Sequence, residues 1–211
     1  MTYGKFISIE GPDGAGKTSV VKALVAKLEA VGITDFMTTR EPGGSKISEQ
    51  IRNVILDVEN TEMDARTEAL LFAAARRQHL VEKILPALEA GKLVICDRFV
   101  DSSLAYQGVA RNIPTELIWE INQFAIDNHL PDLTILIDVP AEIGLERINQ
   151  AKGQRQYDRL DREGVSFHNL VRDAFLSFEA SSDRIVLVDG TQTIDEITEK
   201  IYHILKEKQM I

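Results

Sequence analysis

Apolar residues along this chain follow two alternating rhythms. Short, nearly unbroken apolar runs read as buried strands: Lys5–Ile9, Asp35–Thr39, Leu93–Cys96, Leu133–Val139 and Ile185–Val188. Between them apolar residues recur every three or four positions, the spacing of a helix with one buried side. Val21, Leu24, Val25, Leu28 and Val31 mark the first such helix, and Ile47, Ile51, Val54 and Ile55 the second. A long helical stretch follows over roughly 65–90, with Pro86 as a kink near its end and Gly91 as its stop. A short helix is expected around Ser102–Gln107. Pro114 opens another, with Leu117, Ile121, Phe124 and Ala125 on its buried side, and Pro140 opens one that runs to about Gln150. Phe167, Val171, Phe175 and Phe178 stripe the next helix, and Ile194, Ile197, Ile201 and Leu205 the last.

Five strands alternating with helices predict an α/β fold. The expected form is a three-layer sandwich, a five-stranded parallel sheet flanked by helices and joined by right-handed crossovers. Continuous apolar strands fit that form, because both faces of such a sheet are covered. Residues 1–211 are expected to make one domain. The stretch 151–164 is polar and nearly free of apolar side chains, and reads as a short mobile lid.

Candidate chemistry gathers where strands end. Gly11-Pro12-Asp13-Gly14-Ala15-Gly16-Lys17-Thr18 fits the phosphate-loop pattern G-x-x-x-x-G-K-S/T, with a strand before it and a helix after it. Glycines let backbone N–H groups turn toward a polyphosphate, and the helix points its positive end at the same anion. Lys17 is placed to reach the terminal phosphates and the Thr18 hydroxyl to ligate Mg²⁺. These features predict that the chain binds a nucleoside triphosphate. Arg40 to Gly44, Asp97-Arg98 and Asp189 to Thr193 also follow strands, and in open parallel sheets ligands bind at those carboxyl ends. Asp97 suits a second Mg²⁺ contact through water. Arg98 suits a bidentate grip on an acceptor phosphate, although a surface ion pair would give the same local pattern. Phe72, Ala75, Arg76 and His79 share one helix face, a base-binding surface or simply core. The lid carries Arg155, Arg159 and Arg162, and phosphoryl transfer needs positive charge near the moving group.

Charge narrows the partners. A formal charge of −9, from 24 basic and 33 acidic residues, argues against a broad nucleic-acid or membrane surface. The lone Cys96 lies in an apolar run, as an inert buried thiol would, and no run approaches transmembrane length. The chain also starts a strand almost at once and shows no apolar signal core. The expected location is cytoplasmic. A GTPase-type switch would need an Asn-Lys-x-Asp element, which the sequence lacks. A non-catalytic nucleotide-binding module would not need Lys17, Thr18, Asp97, Arg98 and Arg155 together.

The phosphate loop, then Arg40-Glu41-Pro42-Gly43-Gly44, then Asp97-Arg98-Phe99 with Ser102-Ser103 and Ala105-Tyr106-Gln107, resemble bacterial thymidylate kinases over essentially the whole chain. The resemblance implies the phosphate-loop kinase fold, ATP and dTMP as substrates, Mg²⁺ as cofactor and a homodimer built through long helices. Matched by position, it implies that Asp13 contacts the sugar 3′-hydroxyl or orients the acceptor. Phe72 would stack on thymine, and Arg76 would hydrogen-bond the base edge. Arg98, with Arg52, would hold the dTMP phosphate, in a substrate site that includes Glu41 and Pro42. Ser103, Tyr106 and Gln107 would line the base and sugar pocket. Gly14 stands where one branch of the family has a basic residue, so Arg155 would supply that charge from the lid, with Arg159 as a structural or secondary contact. Arg147 resembles an arginine that packs on adenine, and Gln192 lies in the loop that borders that ring. Ala75 departs from the family, in which many members have Asp before the arginine. A related kinase acting on a deoxynucleoside or another nucleotide is the alternative reading.

Overall fold

The structure, a computed structural model, describes residues 3–151 and 159–211. A five-stranded parallel sheet carries the order β2-β3-β1-β4-β5. Its strands are β1 (Phe6–Glu10), β2 (Phe36–Arg40), β3 (Leu93–Asp97), β4 (Leu133–Asp138) and β5 (Ile185–Asp189). The central strand β1 is buried along its whole length, and its alternate side chains serve two different cores. Ile7 and Ile9 face α1 (Lys17–Ala30) and α9 (Ile194–Glu207), packing with Leu24, Leu28, Ile197 and Ile201. Phe6 points the other way, onto Leu80, Ile84, Val94 and Phe99. Two apolar faces are what turned these strands into unbroken apolar runs.

The remaining helices are α2 (Lys46–Leu56), α3 (Ala65–His79), α4 (Leu85–Glu89), α5 (Val100–Ser103), α6 (Thr115–Ile126), α7 (Ala141–Gln150) and α8 (Val165–Glu179). The stretch expected as one long helix is three pieces. A wider π turn, Leu80–Ile84, separates α3 from α4, and Pro86 falls in the first turn of α4. Proline has no N–H to donate and collides with the preceding turn, so the chain opens just before it. A second π turn, Leu104–Ala110, continues α5.

Two expected helix faces are corrected. On α6 the buried residues are Ile118, Asn122, Ala125 and Ile126, whereas Leu117 and Phe124 face outward, Phe124 at 89% exposure. On α2, Ser48 and Ile55 are buried while Ile47 and Val54 are exposed. Each helix is apolar on more than one side, and periodicity alone does not say which side the sheet takes. No described helix is long and apolar enough to cross a membrane.

Candidate active site

Register places three strand ends side by side. Ile9 of β1 pairs with Asp97 of β3, and Arg40 of β2 pairs with the same Asp97. The chain leaves all three strands at one level, around a cavity of about 290 Å³.

The phosphate loop forms its near wall through Asp13, Gly14, Gly16, Lys17 and Thr18. Gly14 has φ 78°, and a Cβ there would lie 2.1 Å from the Gly144 carbonyl oxygen. Backbone from α7 fills the space that any side chain would need, so position 14 cannot carry a cation. Lys17 is nearly buried, and its ammonium donates to the carbonyls of Gly11 and Pro12 at 3.0 and 2.9 Å. Burial, and then the Arg98 charge, pull the Lys17 pKa down to about 8. The Thr18 hydroxyl donates to Asp97 Oδ2 at 2.9 Å.

Arg98 takes a left-handed backbone conformation, φ 70°, which side chains other than glycine rarely adopt. Its guanidinium pairs with Asp13 and donates to Ser102 Oγ at 2.9 Å, to the Tyr106 hydroxyl at 3.1 Å and to the Gly11 carbonyl at 3.2 Å. Tyr106 in turn donates to Asp13 Oδ2 at 2.8 Å. Burial alone would raise the Asp13 carboxyl, but Arg98, Lys17 and the Tyr106 hydrogen bond together hold it at about 2. Behind this cluster Glu10 is fully buried and accepts from the Phe99 N–H and from Ser102 Oγ, both at 2.6 Å. Its pKa is pushed up to about 7 by burial and then by the charge of Asp101.

On the other wall Phe72 is half-buried, and Arg76 is only 2% exposed. Arg76 Nε donates to Glu41 Oε2 at 2.7 Å, and its other nitrogens donate to Ser103 Oγ, Asn122 Oδ1 and the Phe99 carbonyl. Glu41 also takes His79 Nδ1 at 2.9 Å, whose Nε2 meets Thr39 Oγ1 at 2.6 Å. Arg52 donates to the Pro42 carbonyl at 2.8 Å. Glu41, Pro42 and Arg52 border the cavity, as do Asp97, Arg98, Ser103, Tyr106 and Gln107.

Other residues singled out in the sequence stand elsewhere. Gly11, Pro12 and Ala15 shape the loop but do not line the cavity, and neither does any residue from Asp189 to Thr193. Arg147 donates to the carbonyls of Gly190 at 3.0 Å and Gly14 at 3.4 Å, pinning the loop before α9 to the phosphate loop. Gln192 is exposed. Arg155 and the side chain of Arg162 lie outside the described residues. Arg159 is nearly buried, donating to the Ile55 carbonyl at 3.0 Å and pairing with Glu68.

The sequence reading passed over Glu10, Glu68 and Asn122, and it placed His79 beside Arg76 without a partner. Each is a buried polar residue, and a partner distant in sequence accounts for its burial. The only local signal was a polar group at an inward position, set by helix spacing for Glu68, His79 and Asn122 and by the buried strand β1 for Glu10.

Comparison with known proteins settles the family. A family model described as thymidylate kinase matches residues 9–201. The chain belongs to the thymidylate kinase family. Curated thymidylate kinases resemble it along nearly their whole length. That of Latilactobacillus sakei is 54% identical over 208 residues, covering 98% of this chain and 97% of the relative. That of a Geobacillus species is 56% identical over 195 residues, 92% of each. A crystal structure of thymidylate kinase from Ehrlichia chaffeensis superposes with a TM-score of 0.77 at 32% identity, covering 97% of this chain and 99% of that one. That structure thus shares this chain's fold over nearly its whole length. The loop, Asp97-Arg98 and the Phe72–Arg76 wall all fall inside the family match.

Proposed function

We propose that this enzyme transfers the γ-phosphoryl group of ATP to dTMP, releasing dTDP and ADP. The observation that carries the reading is that one cavity is bordered both by a phosphate-gripping set, Lys17, Thr18 and Arg98, and by an aromatic beside a buried arginine, Phe72 and Arg76. A phosphate oxygen of dTMP attacks the γ-phosphorus as the bond to the ADP oxygen breaks. That oxygen is already anionic, so no protein nucleophile or base is required, and positioning with electrostatics does the work. Lys17 would exchange its loop carbonyls for phosphate oxygens, and Arg98, with Arg52, would hold the dTMP phosphate. Phe72 stacks on the base in this reading, Arg76 meets the base edge and Asp13 orients the acceptor.

Thr18 Oγ1 and Asp97 Oδ2 are hard oxygen donors 2.9 Å apart, a pair that suits Mg²⁺. Among the described residues no group of three or more His, Cys, Asp or Glu side chains is placed to hold a metal, which suits an ion held chiefly by phosphates and water. When bound, the ion supplies neutralisation of charge on the β- and γ-phosphates. Position 14 is closed to side chains, so we assign the remaining positive charge to Arg155 of the 151–164 lid. We also propose a homodimer formed through α2, α3 and α6, which turn Ile47, Val54, Leu70 and Phe124 outward.

ADP release measured with dTMP, dUMP, thymidine and dCMP as acceptors tests the reading. It expects dTMP to lead and thymidine, which lacks the phosphate Arg98 would hold, to give little. Preference for thymidine would make the enzyme a nucleoside kinase, and preference for dCMP would overturn the base assignment.

A further inference from the structure

Gln107 borders the cavity, yet its side chain is governed from behind. Its amide nitrogen donates to Glu68 Oε1 at 2.9 Å. Glu68 lies on α3 one turn before Phe72 and is 1% exposed. Two arginines share its carboxylate: Arg159 pairs with Oε2, and Arg111 donates to Oε1 and Oε2 at 3.4 Å each. Burial alone would raise the Glu68 carboxyl, but the Gln107 hydrogen bond and the two arginines outweigh it and hold it below its usual range. An ionised carboxylate only accepts hydrogen bonds, so Gln107 has to present its nitrogen to Glu68. Its carbonyl oxygen is then left for the other side. No described residue donates to that oxygen, and Gln107, 1% exposed, is among the residues that border the cavity.

We propose that the Glu68 carboxylate determines which pyrimidine the enzyme accepts, by holding the Gln107 amide with its carbonyl oxygen turned toward the base. This inference rests on the acceptor reading above. Thymine and uracil carry an N–H at ring position N3, which a carbonyl oxygen can accept. Cytosine carries a lone pair there, which would face the oxygen unpaired. A buried polar group built for one partner rejects an analogue that lacks it, by far more than apolar contacts can. Glu68 is thereby a positioning residue, acting on the base through Gln107 without touching it.

Glu68→Gln tests this, because it keeps shape while adding a donor. The two arginines claim the carbonyl of the new amide, so its nitrogen faces Gln107, whose amide then turns over. The readout is the ratio of kcat/KM for dTMP to that for dCMP. The expected result is a fall in that ratio of ~10-fold or more, while KM for ATP changes little. A parallel loss with both acceptors, leaving the ratio unchanged, would reduce Glu68 to a structural anchor and overturn the proposal. If Glu68→Gln yields no folded protein, Gln107→Leu carries the test. The same fall in the ratio is expected, and an unchanged ratio overturns the proposal. Wild-type enzyme that ignores dTMP would instead overturn the acceptor reading, and the two failures are therefore distinct.

Discussion

The two walls of the cavity are satisfied in different ways. On the Phe72 side, Arg76 reaches Glu41, Ser103, Asn122 and the Phe99 carbonyl, groups from separate elements of the fold. Those bonds are between buried groups, so they belong to the folded core itself. On the phosphate side, Lys17 hydrogen-bonds the carbonyls of its own loop, and Arg98 leans on a partly exposed Asp13. These partners are near at hand, and the proposed reaction would exchange them for phosphate oxygens. A base pocket profits from being rigid before its ligand arrives. A polyphosphate site needs cations that can let go of one set of oxygens and take another.

The sharpest way to break this comparison is to remove an acceptor from each wall. Glu41→Ala strips Arg76 and His79 of a buried carboxylate, which should cost about 3–5 kcal/mol of stability. Asp13→Asn, at a pair with more exposure and with other acceptors left to Arg98, should cost less than that. Urea unfolding midpoints of the two variants give the order, and equal losses would mean that the walls do not differ as described. Next in size, Lys17→Ala should lower kcat by ~10²–10³-fold with nearly unchanged unfolding, the scale seen when a charge-stabilising donor is lost. A loss of stability as large as that of Glu41→Ala would make Lys17 a structural residue.

A smaller effect sharpens the same contrast through pH. Lys17 titrates at about 8 in the folded chain, against an ordinary 10.5. Between those values the unfolded chain still holds a proton that the folded chain has released, so this group's contribution to stability rises with pH across the interval. Below about 8 both states are protonated and the penalty is present in full. Activity should move the other way, because the phosphates need the cation. We expect kcat/KM for ATP to fall as pH passes about 8, and Lys17→Met to remove this group's share of the stability slope, read as the difference from wild type in urea unfolding at two pH values. The smallest expected effect lies away from the residues that line the cavity. Phe124→Asp on the outward face of α6 should shift light-scattering mass toward the monomer with little change in folding, and an unchanged mass would remove that face from the proposed interface.

Legibility in the sequence followed the same divide. The phosphate loop could be read directly because its determinants are local: glycine φ values, one lysine and one threonine between a strand and a helix. Asp97-Arg98 and Arg40–Gly44 could be placed because parallel strands end at a common level. The partners of Arg76 could not be read. Glu41, Asn122 and Ser103 are 35, 46 and 27 residues away, and nothing in their neighbourhoods states that they meet. Helix faces failed at Phe124 and Ile47 for a different reason. An apolar stripe turned outward and one covered by the sheet have the same period, and only the fold tells them apart. Gly14 could be read as glycine but not as closed, because the atom that closes it belongs to Gly144, far along the chain.

The central claim is that one cavity joins a phosphate donor to a thymine-bearing acceptor. The most direct measurement follows radiolabel from the γ-phosphate of ATP, with Mg²⁺, in the presence of dTMP, using Lys17→Ala as the control. The account predicts that label appears in dTDP, that none moves without dTMP, and that transfer collapses in the variant. Label released only as inorganic phosphate, or transfer that survives in Lys17→Ala, would contradict it.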